Sequence, residues 1–248
     1  MKRLLLLVAT AAMAGAVHAA APNIHVGAMF EYVEPGRSTL LKRVRNSGDA
    51  TAFVRVQITE VRYGSDGRPA EVEIDTAQAA GGGTSLVSSP SRLIVPANGQ
   101  QATRLLYQGD REQERYYRVR FVPVLPQSLD EFALSDAESA DYRDGLSAGV
   151  NVLTGYGVFV IVHPDQAHYD LRTEAADDHF LLRNAGNTTV VLDDMRECTG
   201  SGRIEQCSEP RKVHLLPQRT HLLARRAGYQ HRFEVVEGDV RRAIQLSL

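Results

Sequence analysis

Two arginines carry the clearest chemistry in this chain. In Tyr116-Tyr117-Arg118-Val119-Arg120-Phe121, strand alternation puts Tyr117, Val119 and Phe121 on one face and Arg118 and Arg120 on the other. Their guanidiniums then project side by side, as forks suited to a carboxylate. Alternating arginines also mark an ordinary solvated face. What raises this pair above that reading is its expected place beside a long uncharged strand.

Catalytic groupings are weaker. Gly145-Leu146-Ser147-Ala148-Gly149 fits the G-x-S-x-G pattern of a nucleophile elbow, but that device needs a strand before the serine and a helix after it. Here a charged loop precedes and a β-branched strand follows, so Ser147 is not expected to be a nucleophile. Of the eight histidines, His163 and His168 flank Asp165. On strand and loop that spacing does not converge three metal ligands, and no HExxH or clustered Cys/His pattern exists. Solvent-facing imidazoles are expected, with no metal and no cofactor. Asn187-Thr188-Thr189 fits a glycosylation sequon, yet it sits in an expected tight turn whose asparagine needs no sugar to explain it. The sequence has no phosphate-binding loop, dinucleotide fingerprint or kinase signature, so nothing demands an enzyme. Cys198 and Cys207, separated by eight residues, read as a short-loop disulfide in an oxidising compartment, worth roughly 2 to 3 kcal/mol. A redox or metal pair would favour the tighter CxxC spacing, which is absent.

The element that must position the arginines is a run from Gly145 to Pro164 without one Asp, Glu, Lys or Arg, whose later part reads VNVLTGYGVFVIVHP. Asn151, Thr154 and four glycines argue against a membrane helix, and Val at 150, 152, 158, 160 and 162 argues for a long strand. An acidic, turn-rich lead-in holds Asp130, Glu131, Asp136, Glu138, Asp141 and Asp144 against Arg143 alone, and is expected to be a loop. A long apolar strand leaving a loop is either buried or a place where another chain adds itself.

The rest of the chain sets the frame. Met1, Lys2 and Arg3, then the apolar run Leu4 to Val17, then His18-Ala19-Ala20-Ala21 fit a cleaved secretory signal over residues 1–20. Losing Lys2 and Arg3 makes the formal charge of −2 more negative still, which argues against a nucleic-acid partner. Short alternating runs separated by turn residues then follow in place of long amphipathic helices. Before Pro164 they include Ile24 to Tyr32, Thr39 to Arg45, Ala52 to Arg62 and Arg115 to Val124. After it they include His179 to Arg183, Thr188 to Met195 and His231 to Val236. This is the spacing of an all-β sandwich fold. An internal echo doubles it: VRNSGDATAFVRVQI recurs as LLRNAGNTTVVLDDM, and IVPANGQQATRLL as LLPQRTHLL, in the same order. Two immunoglobulin-like β-sandwich domains in tandem are expected, over residues 21–162 and 163–248.

These features together resemble the periplasmic chaperones of chaperone–usher pili, closest to the alternative branch that serves CS1-type and Mat or common pili. The matching stretches are STLLKRVRNSGDA (38–50), RLIVPANGQQATRLLYQG (92–109), ERYYRVRF (114–121), GYGVFVIVHPDQAHYDL (155–171) and LLRNAGNTTVVLDD (181–194). The resemblance implies a non-enzymatic chaperone that stabilises pilus subunits and delivers them to an outer-membrane usher. A pilus subunit lacks the last strand of its own sandwich, and the chaperone lends one by strand addition. The lending strand would be Ala148 to Tyr156. Val150, Val152, Thr154 and Tyr156 would face the subunit, while Leu153 and the other odd positions would face the chaperone's own side. The family anchors the subunit's C-terminal carboxylate with a first-strand Arg and a lending-strand Lys. This chain has Gly27 and Ala28 near the first position and no cation in the second, so the role passes to Arg118 with Arg120 assisting. Exposed edges also make a self-capping homodimer plausible. The competing reading is a secreted adhesin or structural sandwich module in which Ala148 to Val162 is an ordinary core strand.

Overall fold

Alternation of buried and exposed side chains builds most of the molecule. The structure is a computed structural model that describes residues 21–64, 66–74, 83–126, 132–147, 153–200 and 205–247. The expected signal segment lies outside the described residues. In the N-terminal domain, β1 (Ile24–His25), β3 (Thr39–Asn46), β8 (Gln100–Gln108) and β6 (Ser85–Ser89) form one sheet in the order β1-β3-β8-β6. The facing sheet runs β2 (Phe30–Val33), β10 (Tyr156–Val162), β9 (Arg115–Pro123), β4 (Ala52–Tyr63) and β5 (Pro69–Glu73), and β7 (Arg92–Val95) also pairs with β4. Strand β3 shows the pattern: Lys42, Val44 and Asn46 point inward, Leu41, Arg43 and Arg45 outward.

The C-terminal domain repeats the plan. One sheet holds β11 (Leu171–Ala175), β12 (His179–Asn184) and β16 (Thr220–Ala224). The other runs β14 (Gln206–Cys207), β13 (Val190–Thr199), β17 (Tyr229–Glu237) and β18 (Val240–Ser247), with β15 (Arg211–Leu215) also on β13. Each domain has its own apolar core, one including Val54, Leu105, Val119 and Phe121, the other Leu182, Leu192, Phe233 and Val235. A third cluster joins them: Val61, Phe159 and Ile161 pack with Tyr63, Tyr116 and Leu216. Cys198 and Cys207 are disulfide-bonded across β13 and β14.

The internal echo is a repeated hydrogen-bond device. Asn46, fully buried at the end of β3, donates to the carbonyls of Ala50, Val95 and Pro96 and accepts from the backbone N–H of Asn23 and Gly48. Asn184, fully buried at the end of β12, donates to the carbonyls of Thr188 and Leu215 and accepts from the N–H of Gly186. Each turn needs its glycine for closeness: a Cβ on Gly48 would strike the Ala21 carbonyl, and one on Gly186 the His168 carbonyl. Asn187 is committed to the same turn, accepting from the His168 N–H and donating to the Gln166 carbonyl.

Three local outcomes differ from the sequence reading. The single strand expected over Ile24 to Tyr32 is two, because Gly27 takes φ +71°, open to glycine without strain. The chain thereby crosses from β3's sheet to β10's. Strand β6 was not foreseen. The acidic lead-in is no loop throughout: Asp136–Ser147 is a helix, α1. A capping box starts it, since Ser135 Oγ accepts from the Glu138 N–H while the Glu138 carboxylate accepts from the Ser135 N–H. Tyr142 then donates to the Thr51 carbonyl and, with Phe132, packs edge-on against Phe53, holding α1 on the outer face of β4.

Candidate functional site

Strand β10 has one covered and one partly open edge. It pairs antiparallel with β9 from Tyr156 to Val162, but parallel with β2 only from Phe159 to Val162. Among the described residues, Tyr156, Gly157 and Val158 have a strand on one side only. Val158, Val160 and Val162 enter the N-terminal core, while Phe159 and Ile161 point to the cluster shared with Leu216 of the C-terminal domain. The odd row therefore faces the other domain rather than the N-terminal core. Of the expected lending residues, Val150 and Val152 lie outside the described residues. Thr154 is exposed ahead of the strand. Tyr156, expected on the open face, is half-buried against the N-terminal core instead, because it continues the inward row of Val158 and Val160.

The arginine pair lies beside this edge, and the two members differ. Tyr117, Val119 and Phe121 are buried, so Arg118 and Arg120 share the outer face of β9 as the alternation implies. Arg120 binds Glu71 of β5 through both terminal nitrogens at 2.7 Å. The bonds from Arg120 and from the Thr59 hydroxyl hold the pKa of the Glu71 carboxyl at about 2. Arg118 stands 3.9 Å from Glu71 and lays its guanidinium 5.1 Å over the Phe159 ring. Arg120 is thus committed within its sheet, and Arg118 looks into the groove between the domains.

That groove has a volume of about 420 Å³. Phe30, Arg118 and Phe159 line it from one domain, Lys212, His214 and Leu216 from the other. Lys212 is half-exposed and ion-paired with Asp193 at 3.0 Å. His214 stacks on Phe30 at 3.7 Å and is hydrogen-bonded to the Tyr32 hydroxyl. Burial, with Lys212 adding repulsion, pushes the pKa of the His214 imidazole down to about 4, so it is neutral at neutral pH. Sequence reasoning missed Lys212 and His214. Their alternation along Arg211-Lys212-Val213-His214 was visible, but their distance in sequence from Arg118 hid the meeting.

Behind the groove, a carboxylate ties the domains together. Glu114 is buried and accepts from the Thr189 N–H at 2.7 Å, the Thr189 hydroxyl at 2.5 Å and the Tyr116 hydroxyl at 2.8 Å. Burial raises the Glu114 carboxyl's pKa against the pull of these bonds. His163, read from sequence as solvent-facing, is buried here, with Nδ1 3.0 Å from Glu34 and Nε2 3.7 Å from Glu114. The correction has a simple cause: the hinge turns β10's end in between the domains. His168 is exposed. A cation also reaches the first-strand position that lacks an arginine. Lys42 is buried on β3, and its ammonium donates to the Ala28 carbonyl at 2.6 Å and pairs with Glu31 at 2.5 Å.

Two groupings singled out for chemistry are accounted for by the fold. Ser147 ends α1, so a helix precedes it where an elbow needs a strand. Among the described residues the grouping with metal-ligand spacing, Cys198, Glu205 and Cys207, is taken up by the disulfide. The site is a strand edge beside a cationic, aromatic groove.

No protein-family model matches the chain. It is 27% identical over 177 residues to a CS1 fimbrial subunit of Escherichia coli, spanning 71% of this chain and 68% of that protein. It is 26% identical over 208 residues to an Escherichia coli K12 protein described as a probable fimbrial chaperone, EcpB, spanning 83% and 82%. Among solved structures it resembles the class 5 fimbriae chaperone CfaA, with TM-score 0.53 and 18% identity over 91% of this chain and 100% of that one. It also resembles a chain of the complex between the Salmonella enterica SafA pilin and the SafB chaperone, with TM-score 0.53 and 15% identity over 91% and 96%. These folds are two tandem immunoglobulin-like domains. Relatives and fold agree: the chain is similar in sequence and in architecture to fimbrial, or pilus assembly, chaperones.

Proposed function

We propose that this protein holds strand-deficient pilus subunits in the periplasm by lending them the segment Ala148 to Tyr156, and passes them to an outer-membrane usher. The role is non-enzymatic. The observation that carries the reading is the uneven cover of β10, whose β2 partner begins only at Phe159 and leaves the edge from Tyr156 to Val158 without a second strand among the described residues. An added strand gains main-chain hydrogen bonds there. Val150, Val152 and Thr154 would supply side chains to the subunit, and Tyr156 would close the junction with the chaperone's core.

The subunit's terminal carboxylate would be held in the interdomain groove. Arg118 is the principal cation, since Arg120 is engaged by Glu71. Lys212 supports it from the opposite wall. The test is co-expression with candidate pilus subunits, followed by size-exclusion chromatography. Wild-type protein should co-elute with subunit. Arg118→Glu should reduce recovery at least tenfold, matching the loss of a charge-assisted pair, whereas Arg120→Glu should reduce it far less. Unchanged recovery with Arg118→Glu overturns the anchor, and failure of the wild type to retain any subunit overturns the reading.

A further inference from the structure

The outer face of the β1-β3-β8-β6 sheet carries arginines that meet no anion among the described residues. The outward positions are His25 on β1, Leu41, Arg43 and Arg45 on β3, Gln100, Ala102, Arg104 and Leu106 on β8, and Val87 and Ser89 on β6. No Asp or Glu stands among them. Arg104 faces Leu41 directly, so it is the diagonal neighbour of Arg43, roughly 7 to 8 Å away in an antiparallel pair. Arg45 follows Arg43 two residues along, about 7 Å further. Arg43, Arg45 and Arg104 are exposed and have no ion pair among the described residues. Arg45 and Arg104 each stand within about one Debye length of Arg43, so the like charges repel and the face gains from an anionic partner.

The chain itself bears the complement. Helix α1 has Asp136 and Glu138 in its first turn and Asp141 one turn on, all exposed and none ion-paired among the described residues, with no base in its last turn. Glu138 and Asp141, three residues apart, share one stripe of the helix. Within one molecule they cannot meet the arginines, because Tyr142 and Phe132 hold α1 over Phe53 on the outer face of the opposite sheet.

We propose that the arginine face is a docking surface for the acidic helix α1 of a second copy of this chain. A bilayer of anionic lipid is a poorer occupant, since the chain carries a net negative formal charge and would be repelled elsewhere on its surface, whereas a second copy can present the helix alone. Because the two surfaces lie on opposite sides of the sandwich, the contact is head-to-tail. It extends with concentration instead of closing as a two-fold pair. It uses neither β10 nor the groove, so it stands apart from the capture of pilus subunits.

Sedimentation velocity of the purified full chain over a concentration series tests this. Wild type should show a weight-average sedimentation coefficient that climbs without a dimer plateau, and association at least tenfold weaker in about 0.5 M salt than in about 0.05 M salt. Arg43→Gln/Arg104→Gln and Glu138→Gln/Asp141→Asn should each weaken association at least tenfold. Mixed together they should form a 1:1 complex that grows no further, because one good face then meets one good helix. All four positions are exposed, and circular dichroism checks that the variants fold. If the helix variant does not fold, the salt series and the arginine variant still decide. A wild type that stays monomeric, association unmoved by salt or by the arginine changes, or an arginine face that binds anionic vesicles with self-association unaffected would each overturn the proposal.

Discussion

Asn46 and Asn184 make the same turn in the two domains, and the comparison separates what builds a sandwich from what gives it a task. Both are buried at the end of a strand, both donate to the carbonyl that ends the strand leading into the next proline (Val95 of β7, Leu215 of β15), and both rely on a glycine two residues later. The edges differ. In the C-terminal domain the last strand, β18, pairs with β17 along its whole length, and a disulfide clips β13 to β14. In the N-terminal domain β10 is only half covered by β2, and no disulfide is present among the described residues. The shared device stabilises the interior, and the unshared edge is where a partner can add.

Breaking the device should have the largest effect. Asn46→Ala removes a residue with five hydrogen bonds to backbone and should cost about 3 to 5 kcal/mol, since each buried group left unpaired costs about 1 to 3 kcal/mol. Hydrogen exchange read by mass spectrometry should show the loss concentrated in residues 21–162. Asn184→Ala removes three bonds and should cost less, about 2 to 4 kcal/mol, in the other domain. Losses spread over both domains would mean the two turns are not independent copies.

The disulfide offers the next test. Cys198→Ser/Cys207→Ser should lower only the stability of the C-terminal domain, by roughly 2 to 3 kcal/mol for so short a loop, leaving exchange protection in β10 unchanged. A drop in β10 protection would place the staple's influence across the hinge.

The smallest effect concerns the contact between the domains. The His214 imidazole has a folded pKa of about 4 against an ordinary 6.5, so its neutral form is favoured in the folded state. Stability from that contact is fully present above about 6.5 and is lost as pH falls through the window from 6.5 to 4. Protonation sets a charge against Lys212 and spoils acceptance from the Tyr32 hydroxyl. Thermal scans of wild type should lose stability across that window, and His214→Gln should flatten the slope. Glu71, with its carboxyl pKa at about 2, contributes above 4.5 and loses its contribution only as pH falls toward 2. It therefore cannot account for a slope centred near pH 5.

Much of this was legible in the amino-acid order. Strand alternation needs only neighbours two residues apart, so β3, β4 and β9 and the outward pairing of Arg118 with Arg120 could be read directly. The echoed Asn-x-Gly turns and the Cys198–Cys207 bridge were likewise local. The capping box Ser135-Asp136-Ala137-Glu138 was in plain view too, but a helix of 12 residues with no strong apolar stripe gave no periodic signal to join it to.

What the sequence by itself determined is the all-β, two-domain plan, because side-chain alternation and turn chemistry act over a few residues. Only the tertiary structure decided which arginine is engaged by Glu71 and which faces Lys212 and His214, that His163 is buried beside Glu114, and that Gly27 passes the first strand from one sheet to the other. Those outcomes depend on contacts between residues tens of positions apart. Their energies appear only when two sheets, and then two domains, close on one another and exclude water.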